Sequence, residues 1–134
     1  MKIRSGRHVV FNLHAHFVFI PRYRKNVFDL DALERLRRIF RIVCADFETD
    51  IVEFNGERDH IHLLVNYPPK FALSNMVNSL KGVSSRLLRK ERPDIARKYC
   101  RGGLWSHSYF VGSCGGAPLT VLKKYVASQC TPDS

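Results

Sequence analysis

The chain contains no run of about 18 consecutive apolar residues, so no membrane-spanning helix is expected. It contains no C-x-x-C pair either. Its four cysteines, Cys44, Cys100, Cys114 and Cys130, stand far apart. That spacing argues against a zinc ribbon or a disulfide framework and for the reduced thiols of a cytosolic protein. Acidic residues are scarce, with 12 Asp and Glu against 22 Lys and Arg, a formal net charge of +10. The imbalance suits a polyanionic partner, usually nucleic acid, but charge alone does not separate DNA from RNA or an acidic membrane surface. No repeat, low-complexity stretch or linker divides the 134 residues, which fit one domain, 1–134. The basic start is followed by Val9-Val10-Phe11, but Asn12, His14 and His16 interrupt the apolar stretch. A secretory signal is therefore not expected, and a cytoplasmic location is.

What is present reads as alternating strands and helices. Residues 8–20, rich in Val, Phe and His, predict a strand that Pro21 ends. Apolar residues Leu30, Leu33, Leu36, Phe40, Val43 and Phe47 recur at helical spacing over 30–48, with Asp31 and Glu34 as a candidate capping box. Residues 50–56 and 60–66 predict a hairpin around the turn Glu57-Arg58-Asp59. A second helix is expected from about Ser74 to Glu91, ended by Pro93. Residues 104–113 predict a fourth strand, Gly115-Gly116 a flexible joint, and 118–129 a last helix opened by Pro118. The order β-α-β-β-α-β-α implies an α+β fold: a ferredoxin-like, RRM-like antiparallel sheet, helices on one face, and an extra C-terminal helix. Between residues 81 and 101 lie eight basic residues and two acidic ones, the densest positive stretch.

The chemistry concentrates at Asp59-His60-Ile61-His62-Leu63-Leu64-Val65. Side chains alternate along a strand, so His60 and His62 share a face about 7 Å apart and can converge on one cation. A His-x-His pair is by itself weak evidence, and the chain carries its own control. His14-Ala15-His16 has the same spacing, and both pairs are not expected to hold metal. The second pair differs in setting: Asp59 precedes it and can orient an imidazole, Ile61 is bulky, and an apolar anchor follows. On the last helix, Tyr125 and Gln129 are four residues apart and share a face beside the stripe of Leu119, Leu122 and Val126. Core packing is the plain reading of that tyrosine. The chemical reading uses its phenol as a nucleophile on phosphorus beside a divalent metal, with the Gln129 oxygen as a further ligand.

Five segments together resemble one family. They are Phe17-Val18-Phe19-Ile20-Pro21-Arg22-Tyr23-Arg24, Asp59 to Leu64, Lys81-Gly82-Val83-Ser84-Ser85-Arg86, Gly115 to Leu119, and Tyr125 to Gln129. In this order they resemble the strand and P-K/R-Y-R turn, metal strand, K-G-x-S-x-R helix, hinge and Y-x-x-x-Q helix of the single-tyrosine HUH transposases, the TnpA type of hairpin-ended insertion sequences. HUH denotes His, bulky hydrophobe, His. The resemblance implies Tyr125 as nucleophile, and His60, His62 and Gln129 as ligands of Mg²⁺ or Mn²⁺. It implies single-stranded DNA with imperfect hairpins as substrate, cleaved and rejoined through a 5′-phosphotyrosine. Family members are homodimers with trans active sites, and Gly115 and Gly116 would let the tyrosine helix cross between subunits. Arg22, Arg24, Lys81, Arg86 and Arg89 are the basic side chains expected at the DNA. A protein of this kind is nucleoid-associated when bound to DNA. Two departures stand out. Only five residues follow Gln129, and imidazoles suit Mn²⁺ at least as well as Mg²⁺.

Another class fits the bulk features: an RNA-binding module in which the histidines, with Tyr109 or Phe110, stack or pack and nothing is cleaved. The absence of a recognisable RNP aromatic pattern counts against it. A third option is a domesticated relative that cuts genomic hairpins without moving its own element.

Overall fold

A computed structural model describes residues 3–99 and 102–113. The strands are β1 (Arg4–Gly6), β2 (Val9–Phe11), β3 (His14–Phe19), β4 (Asp50–Glu57), β5 (His60–Asn66) and β6 (Phe110–Ser113). The helices are α1 (Leu30–Asp46), α2 (Leu73–Glu91) and the short α3 (Pro93–Ala96). From β3 onward the succession is β-α-β-β-α-β, as the periodicities predict, with a short 3-10 turn at Arg22–Arg24 and α3 added to it.

The four long-range strands form one antiparallel sheet in the order β4-β5-β3-β6. Alternation sends Ala15, Phe17 and Phe19 of β3, with Ile61, Leu63 and Val65 of β5, into one core. Leu36, Phe40 and Val43 of α1 and Met76, Val77, Leu80 and Leu88 of α2 complete it at helical spacing. Burial of each large side chain here is worth roughly 1.5–3 kcal/mol. The opposite face of β3 and β5 carries His14, His16, His60 and His62, so the sheet separates an apolar layer from a histidine-bearing one.

Three local expectations are corrected. The apolar run 8–20 is two strands: β2 turns back on β1 as a separate two-stranded ribbon, and only His14–Phe19 joins the main sheet. Residues 104–113 are strand only from Phe110. Before that, Leu104 and Trp105 turn into the core, Trp105 bridging to Pro21 and donating its indole N–H to Ser84 Oγ at 2.8 Å. The cap of α1 is Asp29, whose carboxylate accepts the Ala32 N–H at 2.8 Å, so Asp31 and Glu34 form no capping box. Asp31 instead binds Arg35 and Arg92.

Charge pairs join the two long helices at one end. Arg92 reaches Asp29, Asp31 and Asp94, while Glu91 receives Arg35 and Arg38. The joint at Gly115 and Gly116 and the helix expected over 118–129, with Tyr125 and Gln129, lie outside the described residues.

Candidate active site

The hairpin β4–β5 closes on two residues, Arg58 and Asp59, which sets Asp59 directly before the histidine strand. β5 lies inside the sheet, paired on both edges, so His60 and His62 ride on rigid backbone. Both are half-buried, and Ile61 between them is fully buried on the helix side.

A chain of contacts fixes His60. Its Nδ1 donates to Asp59 Oδ1 at 3.0 Å, and Asp59 Oδ2 accepts from Arg24 Nε at 2.7 Å. Burial alone would raise the Asp59 pKa; hydrogen bonds from His60 and Arg24, with the Arg24 charge, outweigh it and hold the carboxyl below its ordinary range. Arg24 reaches Asp59 because the Pro21-Arg22-Tyr23-Arg24 segment turns sharply, with φ of 64° at Tyr23 and 49° at Arg24. Left-handed backbone at two non-glycine residues costs of order 1 kcal/mol each and persists where neighbours over-determine it. Here the Arg24 N–H bonds back to the Pro21 carbonyl at 2.9 Å, and Lys25 lies over the Tyr23 ring.

His62 has a different neighbour. His16 of β3 meets it edge to edge, ring centroids 5.1 Å apart and planes 18° apart, with His16 Nδ1 2.9 Å from His62 Nε2. Burial, then the His16 ring, shifts the His62 pKa down and favours the neutral imidazole. His14 takes no part: it is buried, and its Nε2 accepts the Asn66 amide at 3.2 Å. The two histidine pairs are therefore not independent, since His16 of β3 is bound to His62 of β5.

The donor set fits a divalent metal in part. Neutral imidazole is the metal-binding form, and hydrogen-bonding Nδ1 of His60 to a carboxylate leaves Nε2 as its ligand nitrogen. Among the described residues, however, no three His, Cys, Asp or Glu side chains converge into a metal cluster. The described chain supplies two adjacent imidazoles; Gln129, expected as a third ligand, lies outside the described residues.

The basic side chains separate into engaged and exposed. Arg24 is committed to Asp59. Lys81 donates to the Ser106 carbonyl at 2.6 Å, lies over the Tyr109 ring, and has its pKa lowered by burial. Arg89 donates to the Ser85 and Tyr99 carbonyls. Arg22 donates to the Gly102 carbonyl at 3.2 Å. Arg86 is exposed and makes no hydrogen bond or ion pair among the described residues. Lys81, Ser84 and Ser85 jointly dock the 104–107 segment, Ser85 Oγ accepting the Leu104 N–H at 3.0 Å. Tyr109 packs beside Phe19 and Lys81 rather than standing as an open stacking platform. The His16–His62 and Arg24–Asp59 contacts were not foreseen, since each links residues far apart in the chain with no local spacing signal.

The model of one transposase family, described as IS200-like, matches residues 9–129. ISDra2 transposase TnpA of Deinococcus radiodurans is 28% identical over 129 residues, covering 96% of this chain and 92% of that protein. The transposase for insertion sequence element IS200 of Salmonella typhimurium is 33% identical over 130 residues, 97% of this chain and 85% of its own length. Among solved structures, a putative transposase from D. radiodurans R1 superposes with a TM-score of 0.84 at 25% identity, covering 94% of this chain and 97% of that one. A REP-associated tyrosine transposase bound to a REP hairpin shares the fold, with a TM-score of 0.57 at 13% identity over 94% of this chain and 68% of that one. The match over 121 of 134 residues, spanning the histidine strand and running on to Gln129, places this chain in the IS200-like transposase family.

Proposed function

We propose that the protein is a metal-dependent transposase that cleaves and rejoins single-stranded DNA at hairpin-bearing element ends through a 5′-phosphotyrosine on Tyr125. The observation that carries this reading is the pair His60 and His62 on one face of β5, with Asp59 and Arg24 locked behind His60. A plain core or surface histidine needs no such support, whereas a metal ligand is oriented by one.

In this reading the chain is one domain, 1–134, a ferredoxin-like sheet plus a C-terminal tyrosine helix over 118–129. His60, His62 and Gln129 hold Mg²⁺ or Mn²⁺. The bound metal supplies positive charge at the scissile phosphate and at the departing oxygen. The Tyr125 phenolate attacks phosphorus, the 3′ oxygen leaves as a hydroxyl, and the 5′ phosphate stays on the tyrosine. One phosphoester replaces another, so rejoining needs no ATP. The REP-associated transposase that shares the fold binds a hairpin, and we carry that substrate shape to this chain. Arg22, Arg24, Lys81, Arg86 and Arg89 are proposed near the DNA. Arg86 is the best direct phosphate contact, and Lys81 and Arg89 act chiefly by shaping the surface. The working form is a homodimer, Gly115 and Gly116 letting each tyrosine helix reach the partner's histidines.

The test incubates the protein with labelled single-stranded element ends and Mn²⁺ and resolves the products on a denaturing gel. Wild type is expected to give a covalent adduct, and Tyr125→Phe none, with DNA binding nearly unchanged. A verified heterodimer of Tyr125→Phe and His62→Ala subunits is expected to regain adduct, because trans geometry leaves it one intact site. Full adduct from Tyr125→Phe alone removes the tyrosine assignment.

A further inference from the structure

Each of the two strand histidines has its own partner, of a different kind. His60 leans on a carboxylate, Asp59. His62 leans on an imidazole, His16 of the neighbouring strand, at 2.9 Å between Nδ1 of His16 and Nε2 of His62. A nitrogen–nitrogen hydrogen bond needs one protonated and one bare nitrogen, which leaves two arrangements for neutral rings. If His16 donates, Nε2 of His62 is occupied as acceptor and Nδ1 carries the proton. His62 then has no lone pair for a metal. If His62 donates, its Nδ1 is bare.

We propose that His16 is a positioning residue for the metal strand: it accepts the Nε2–H of His62, fixes the tautomer and plane of that ring, and leaves Nδ1 of His62 for the metal. The inference rests on the metal-site reading given above. It follows a general pattern, in which a metal-bound histidine donates its second N–H to an acceptor that orients it. Asp59 does this for His60 in the usual way, and an imidazole does it for His62. The planes lie only 18° apart with the two nitrogens between the rings, so the hydrogen bond runs close to both ring planes and favours one orientation of His62. The partner is not interchangeable with the other histidine of β3, because His14 points to Asn66.

Three variants separate the roles. His16→Leu keeps bulk and removes the acceptor. His16→Asn places a carbonyl oxygen close to where Nδ1 stood and keeps it. His14→Leu is the control. Mn²⁺ binding to the purified proteins is measured by titration calorimetry, with thermal melting alongside. Wild type and His14→Leu are expected to bind alike, His16→Leu to bind roughly 10–100-fold more weakly, and His16→Asn to recover most of the loss. Long-range ¹H–¹⁵N spectra of the metal-free wild type are expected to give a protonated Nε2 and a bare Nδ1 on His62. Unchanged or tighter Mn²⁺ binding by a folded His16→Leu overturns the role of His16 while the metal site stands. A protonated Nδ1 on His62 overturns it even if His16→Leu does not fold. No Mn²⁺ binding by wild type removes the metal reading itself, and this inference with it.

Discussion

The two His-x-His pairs have the same spacing, lie on adjacent antiparallel strands and face the same side of one sheet. They differ in what stands behind them. His14 is buried and spent on Asn66, an arrangement that ties β3 to the end of β5. His60 and His62 stay half-open, each held by one hydrogen bond, and for His60 the carboxylate partner leaves Nε2 for use. The difference teaches that spacing nominates a pair of imidazoles and their neighbours decide the employment. In the proposed function a carboxylate backed by an arginine prepares a ligand, whereas a buried amide makes a structural tie.

Cutting away the β5 pair has the largest expected effect. His60→Ala with His62→Ala, or EDTA on wild type, is expected to abolish the covalent adduct while hairpin binding, read by gel shift, persists. Full-rate cleavage in EDTA would erase the distinction between the pairs. Next comes the support of His60. Arg24→Ala is expected to lower Mn²⁺ affinity roughly 10–100-fold without abolishing DNA binding, since it frees Asp59 to turn away. An Arg24→Ala protein with wild-type metal affinity and a weaker salt dependence of DNA binding would return Arg24 to the DNA side. The β3 pair gives the converse result. His14→Leu is expected to cost about 1–3 kcal/mol of stability in denaturant unfolding, because the buried Asn66 amide loses an acceptor, and to leave cleavage by the folded protein intact. The smallest effect is at Arg86. Arg86→Ala is expected to reduce the slope of log affinity against log salt by roughly 0.7–0.9, the signature of one lost phosphate contact. An unchanged slope would put the DNA elsewhere.

The order of elements was readable because each carries its own signal: alternation in β5, three-four spacing in α1 and α2, and a short polar turn between β4 and β5, which the structure tightens from Glu57-Arg58-Asp59 to Arg58 and Asp59. The histidine strand was readable for the same reason. Where the reading failed, the deciding partner was remote. The run 8–20 looks continuous because apolar alternation does not register the break after Phe11, and only pairing with Arg4–Gly6 reveals it. Trp105 has strand-like neighbours but is drawn into the core by Ser84 and the ring of Phe28. Asp29 caps the helix although Asp31 and Glu34 fit the capping pattern, because the helix begins at Leu30 and Asp31 already lies inside its first turn. Arg24 counted as one basic residue among many until its 35-residue reach to Asp59 was visible.

The cluster that joins α1 to α2 has an electrostatic consequence for the whole molecule. Three arginines, Arg35, Arg38 and Arg92, meet four carboxylates there, Asp29, Asp31, Glu91 and Asp94. That corner carries one negative charge in surplus, so against the whole-chain +10 the rest of the sequence holds a formal +11. The carboxylates of this corner are thus largely neutralised by its own arginines, and the positive excess that suits a polyanion lies elsewhere in the chain. An Arg92→Ala exchange would leave Asp29, Asp31 and Asp94 without that partner and return acidic charge to the densest basic stretch of the chain.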